Sequence, residues 1–155
     1  MLIQAKNKHT GFSLVEVLVA LIILSVGMLG IATLFVQSMQ AGRTSMFRHH
    51  AVTLAGDIAD RIRANPRAGI AYEGPGADNG CIAQGKNCTE DAMAANDILL
   101  WAEQAADSLP GGEVTVTFTD LTAPPEYTIR VDWDEPGEDP DAPLNYQIVI
   151  PVNRF

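Results

Sequence analysis

The sequence predicts an α+β fold: a long apolar N-terminal helix, a second helix and a small antiparallel sheet. Three observations lead there. Residues 17–36 read VLVALIILSVGMLGIATLFV, twenty in a row without a charge. Residues 47–62 carry apolar side chains at helical spacing. Residues 113–152 hold three period-two runs, two of them strictly apolar–polar and the third carrying Tyr146, Ile148, Ile150 and Val152 at every second position. The 155 residues allow one small domain plus an appendage. Charge divides the chain in the same way. Residues 1–11 carry Lys6 and Lys8 with no acid, whereas residues 68–155 set three basic against sixteen acidic side chains. A phosphate-backbone binder of this size shows the reverse balance, so direct nucleic-acid binding is not expected.

At 1.5 Å per residue the uncharged run spans about 30 Å as a helix, the thickness of a bilayer hydrocarbon core. A soluble helix of that length has a polar face, and this one has none. The basic residues flanking its two ends are nearly even, so charge bias alone does not orient it. A secretory signal peptide is the competing reading, with Gly30-Ile31-Ala32 as a weak cleavage site, but its apolar region is ordinarily 7–15 residues. Glu16 sits at the start of the run. Near the interface, in a first helical turn, its charge costs less than at mid-membrane.

Helical spacing continues through Phe47, Ala51, Leu54, Ile58 and Ile62. Asp57–Arg61 and Asp60–Arg63 are spaced as i,i+4 and i,i+3 ion pairs. Asn65-Pro66 ends the helix, because the residue before a proline is pushed out of the α region. With no proline inside, residues 12–65 read as one helix, with Gly27, Gly30, Gly42 and Gly56 as its weak points. His49 and His50 are neighbours and point about 100° apart, too divergent for an i,i+4 metal pair.

Residues 68–91 are rich in Gly, Asn and Ala and read as a loop. Cys81 and Cys88 enclose six residues there. Beyond a membrane the compartment is oxidising, which favours a small disulfide-closed loop; a two-thiolate metal site would lack further ligands nearby. Residues 92–109 read as the second helix, with Asn96 or Asp97 as a cap and a stripe of Ile98, Leu99, Ala102, Ala105, Ala106 and Leu109. Trp101 lies beside that stripe, and Pro110-Gly111-Gly112 stops the helix. The strands are 113–119, 127–133 and 145–152, each half-buried, and the two helical stripes are available to cover their apolar face. The acidic stretch 132–141 reads as a solvated turn. Calcium is the alternative, but Pro136 and Pro143 occupy positions where an EF-hand loop has ligands. There is no P-loop, GxGxxG, HExxH or GxSxG pattern, so neither an enzyme nor a cofactor is expected.

Gly11-Phe12-Ser13-Leu14-Val15-Glu16, after a basic leader and before the long apolar run, resembles the prepilin peptidase signature of type IV pilins and pseudopilins. The resemblance implies a pilin-like stalk and processing by a prepilin peptidase/methyltransferase. Residues 1–11 would be a cleaved leader, the cut falling between Gly11 and Phe12 and Phe12 then being N-methylated. Residues 12–40 would form the membrane and filament-core helix, 41–66 its amphipathic half, and 67–155 a periplasmic domain. Glu16 would pair with the α-amine of a neighbouring subunit during assembly. Leu54 to Pro66, LAGDIADRIRANP, resembles a segment of PilV-type minor pilins. So do Gly27-Met28-Leu29-Gly30 and, farther on, Asp97-Ile98-Leu99-Leu100-Trp101 with Leu109-Pro110-Gly111-Gly112. The implied protein primes pilus assembly, with the tip as one candidate position. Its implied partners are other minor pilins, the major pilin and the assembly platform. It would lie in the inner membrane before assembly and in the extracellular filament afterwards. A minor pseudopilin of type II secretion, a membrane-anchored periplasmic binding domain and a Sec-secreted protein are the other classes consistent with the residues.

Overall fold

The computed structural model describes residues 11–81, 86–135 and 143–152. The basic leader and most of the acidic 132–141 stretch lie outside the described residues. Element order is helix α1 (Leu14–Ala64), a 3₁₀ turn (Gly69–Glu73), helix α2 (Glu90–Ser108), and strands β1 (Glu113–Thr119), β2 (Glu126–Trp133) and β3 (Leu144–Pro151). The chain divides into two units, Met1–Gly42 and Arg43–Phe155. The α+β class, the long apolar helix, the second helix and the three-stranded sheet are as the sequence predicts.

In the first unit the Ser13 carbonyl receives the Glu16 and Val17 amides and starts α1. Every large apolar side chain from Phe12 to Met39 is 49–84% exposed. The helix is long and apolar enough to cross a membrane. The two hydroxyls within its uncharged run are satisfied internally: Ser25 donates to the Ile22 carbonyl at 2.8 Å and Thr33 to the Leu29 carbonyl at 2.9 Å. Neither therefore presents an unpaired hydroxyl to hydrocarbon.

In the second unit, Phe47, Ala51, Leu54, Ile58 and Ile62 of α1 are buried, as their spacing predicts. They join one core with Ala94, Trp101 and Ala105 of α2 and the inner face of the sheet. The sheet is antiparallel in the order β1-β2-β3. Register places Val116 opposite Ile129 and Ile129 opposite Ile148, with Phe118, Tyr127 and Ile150 in the adjoining row. Directly paired residues share a face, so the alternation in each strand yields one continuous apolar layer. The indole N–H groups of Trp101 and Trp133 are buried with no acceptor among the described residues.

Three local readings are corrected. Residues 68–91 are not all loop: the 3₁₀ turn Gly69–Glu73 buries Tyr72, and Tyr127 Oη donates to the Gly69 carbonyl at 2.9 Å. Helix α2 begins at Glu90, not Ala92, and its cap is Thr89, whose hydroxyl accepts the Ala92 amide at 3.2 Å. Asn96 and Asp97 lie inside the helix and are buried. Its buried stripe is rotated toward Ala94, Asp97, Trp101 and Ala105, so Ala102 and Ala106 are exposed. Polar side chains on the core-facing side mask the stripe from a count of apolar residues alone.

The end of α2 explains the Leu-Pro-Gly-Gly segment. Gly111 has φ +58°, a left-handed conformation that costs other residues roughly 1–2 kcal/mol. A Cβ on Gly112 would run into the Ala105 carbonyl. We expect Gly112→Ala to lower stability by about 1–3 kcal/mol through overpacking. Gly56→Ala is the contrasting case, because a Cβ there meets open space on a helix. It should raise stability by up to about 1 kcal/mol. Thermal unfolding of the two variants side by side checks both signs.

Candidate functional site

Gly11, Phe12 and Glu16 lie at the beginning of the first unit, where the chain enters α1. Phe12 is 84% exposed. Phe12 and Glu16 are four residues apart, so they share one side of the chain as it enters the helix. With Val17, Ala20, Leu21 and Leu24 they line an open apolar groove of about 570 Å³. Glu16 is the only charged residue between Phe12 and Gly42. Its first-turn position suits a negative charge, since the exposed amides there carry the positive end of the helix dipole. A lone carboxylate on an otherwise apolar surface has a definite chemical consequence. If that surface is buried against lipid tails or other helices, the charge needs a cation or a proton.

A second constellation lies in the second unit and is built from parts that the sequence reading treated separately. Asp97 is 3% exposed. Its Oδ1 accepts Arg61 Nη1 at 2.8 Å and its Oδ2 accepts Tyr72 Oη at 3.3 Å. Asn65 Nδ2 donates to Tyr72 Oη at 3.3 Å and to the Glu90 carbonyl at 2.8 Å. Tyr72 also stacks on Trp101, with ring centroids 5.4 Å apart, and meets Tyr127 edge-on at 5.9 Å. One polar cluster thus joins the end of α1, the 3₁₀ turn and α2. Arg61 is thereby taken by Asp97 and not by Asp57, as the helical spacing suggested. The Asp60–Arg63 pair does form, at 2.9 Å.

Burial pushes the Tyr72 phenol well above its ordinary value; the Asn65 amide opposes the rise and the Asp97 carboxylate adds to it. A raised folded-state value means that folding favours the neutral phenol. That contribution is complete below about pH 10, the unfolded value, and is lost as pH rises through the folded value. We expect stability to fall above about pH 10 in the native chain and to fall less steeply in Tyr72→Phe. Denaturant titrations on both sides of that pH measure the difference.

Cys81 and Cys88 form a disulfide, with Cα atoms 5.8 Å apart. The chain before it lies along α2: the Ala77 amide donates to the Ala95 carbonyl at 2.9 Å and Cys81 N to Asn96 Oδ1 at 3.3 Å. His49 and His50 are exposed, their ring centroids 6.4 Å apart. At the other end of the sheet, Asp134 N donates to the Pro110 carbonyl at 2.8 Å, and the Thr44 hydroxyl donates to Glu135.

The buried cluster was not read from the sequence. Its signal was the pair Asn96-Asp97, polar residues at helical spacing with Trp101 and Ala105, which a cap reading misassigned.

Comparison with protein families gave two adjoining matches. Residues 6–32 match the prokaryotic N-terminal methylation motif, and residues 33–99 match the family described as type IV pilin Tt1218. The first holds Gly11, Phe12 and Glu16; the second holds all of the Arg61–Asp97–Tyr72–Asn65 cluster. Curated proteins and solved structures gave no match.

Proposed function

Taking as premise that the chain belongs to the type IV pilins, we propose that it is a PilV-type minor pilin that helps to prime pilus assembly. A prepilin peptidase cuts between Gly11 and Phe12, and Phe12 is N-methylated. The apolar part of α1 holds the subunit in the inner membrane, with the acidic domain on the periplasmic side. On assembly the helices of several subunits leave the lipid and pack together. Glu16 then pairs with the α-amine of a neighbour's Phe12.

One observation carries this reading: an apolar helix surface exposed from Phe12 to Met39, interrupted by the single carboxylate of Glu16 in its first turn. Exchanging lipid contacts for helix contacts leaves the apolar balance nearly unchanged, since lipid tails are as apolar as Leu. Charge pairing can then set the register. The PilV-type part is supported by the Asp-Arg-Ile-Arg-Ala-Asn-Pro and Asp-Ile-Leu-Leu-Trp segments, whose Arg61, Asn65 and Asp97 meet in one cluster.

The test is mass spectrometry of the N-terminal peptide from sheared surface filaments and from membranes. N-methylated Phe12 in the filaments is the expected result. The same terminus confined to membranes would favour a pseudopilin of type II secretion. An intact Met1, or a start near Thr33, would overturn the processing.

A further inference from the structure

We propose that the outer edge of β1 receives an extended, basic or uncharged segment of a different filament subunit, added to the sheet as a short further strand. A cavity of about 140 Å³ lies along that edge. Its wall includes Glu73 of the 3₁₀ turn, Gly74, Trp101 and Ala102 of α2, and Val114 and Val116 of β1. Pairing of β1 with β2 is unbroken from Glu113 to Thr119, so the backbone groups of β1 point alternately toward β2 and away from it. The Phe118 amide fixes which residues point away, because it donates to Glu73 Oε1 at 2.6 Å. Val114 and Val116 therefore also turn their N–H and C=O groups outward, and these have no partner among the described residues. The two residues stand roughly 7 Å apart, which is the repeat of an added strand.

The wall adds another unmet donor. Trp101 is buried, and its indole N–H has no acceptor among the described residues. A peptide, with a donor and an acceptor at each residue, answers both the strand edge and the wall, whereas a purely apolar occupant answers neither. Charge narrows the source. Glu73 and Glu113 border the edge, in a region that sets sixteen acidic against three basic side chains. Two β1 edges of this chain set together would oppose these carboxylates, so the fit is to another kind of subunit. The β3 edge is the internal comparison: Val149 turns its backbone groups outward there, but the strand ends in Pro151, which has no N–H to give.

This inference rests on the reading of the chain as a filament subunit, but the pairing itself is tested without filaments. Full-length chain in detergent, carrying isotopically labelled tryptophan, is titrated with the capped peptide acetyl-Thr-Val-Lys-Val-Thr-amide. The Trp101 indole resonance should shift saturably and that of Trp133 should not. A copy of the peptide with methylated amide nitrogens should bind at least tenfold more weakly, and one with Glu for Lys at least threefold. Ala102→Phe fills the cavity from an exposed helix position and should weaken binding about tenfold while keeping the native melting profile. Val114→Pro removes an outward N–H, a change that edge strands tolerate, and should do the same; Val149→Pro on β3 should not. No shift of Trp101, equal binding of the methylated peptide, or loss in Val149→Pro alone would overturn the pairing. In cells that assemble the filament, p-benzoylphenylalanine in place of Ala102 should cross-link to a segment of another pilin. Capture of a second copy alone, or of no pilin, would overturn the choice of occupant. The N-terminal mass of the same chain reports separately on the pilin reading.

Discussion

Glu16→Ala should insert in the membrane and be processed at Gly11–Phe12 normally, yet enter sheared filaments at least tenfold less than the native chain. The sign of this effect distinguishes two physical pictures. If the Glu16 carboxylate has no partner in the filament, burying it among apolar helices is a pure cost, and alanine would remove that cost. Incorporation would then hold or improve. If Glu16 pairs with the Phe12 amine of a neighbour, removing it leaves a buried cation uncompensated, which costs about 3–5 kcal/mol. At about 1.4 kcal/mol per factor of ten, that is roughly two to three and a half orders of magnitude in an association constant. Tenfold is therefore a conservative threshold. Glu16→Gln separates charge from shape: it keeps the length and a hydrogen-bonding end but not the charge, and should fall nearer to Ala than to the native chain. Insertion is the internal control, because removing a carboxylate from an apolar helix eases membrane entry. The measurement compares processed chain in membranes and filaments by N-terminal peptide mass spectrometry. Native incorporation of Glu16→Ala would remove the pairing role.

How much of this was legible in the sequence depends on how local the controlling physics is. The strands were read to within a residue, because alternation is set by the pleat and β1, β2 and β3 share one inner face. The buried stripe of α1 from Phe47 to Ile62 was also legible, because all its members are apolar. Helix α2 was found but turned wrongly. Its inward side carries Asn96 and Asp97, and polar residues become core residues only through partners distant in sequence. Arg61 shows the same limit: its local partner Asp57 was apparent, whereas Asp97, 36 residues away, is the one it takes. Tyr72 sat in what looked like a Gly-rich loop, and nothing local marks it for burial against Trp101. The candidate assembly residues could be proposed from the sequence alone for the opposite reason. Gly11, Phe12 and Glu16 fall within six residues, and an isolated charge beside twenty uncharged residues is visible without a fold.

Those long-range contacts carry the other large effect: Asp97→Ala should cost the second unit about 3 kcal/mol, summed from a lost hydrogen bond to a buried phenol and a lost ion pair. The two contributions are unequal. Arg61 is half exposed, so its ion pair with Asp97 is partly solvated and contributes at most about 1 kcal/mol. The larger loss falls on Tyr72, which is 2% exposed and donates its hydroxyl proton to Asp97. With alanine at 97 that proton has no acceptor, while Asn65 continues to donate to the oxygen. A buried unsatisfied donor costs about 1–3 kcal/mol. For a domain of this size the sum lowers the melting temperature by on the order of 10 °C or more. Asp97→Asn keeps an acceptor for Tyr72 and loses only the charge, so it should cost about 1 kcal/mol. Tyr72→Phe in the Asp97→Ala background should recover part of the loss, because it removes the orphaned hydroxyl. Near-UV circular dichroism of the full chain in detergent follows the packing of Tyr72 and Trp101 directly. A melting profile unchanged by Asp97→Ala would mean that the cluster is solvated and that the end of α1 is held to α2 by apolar contact alone.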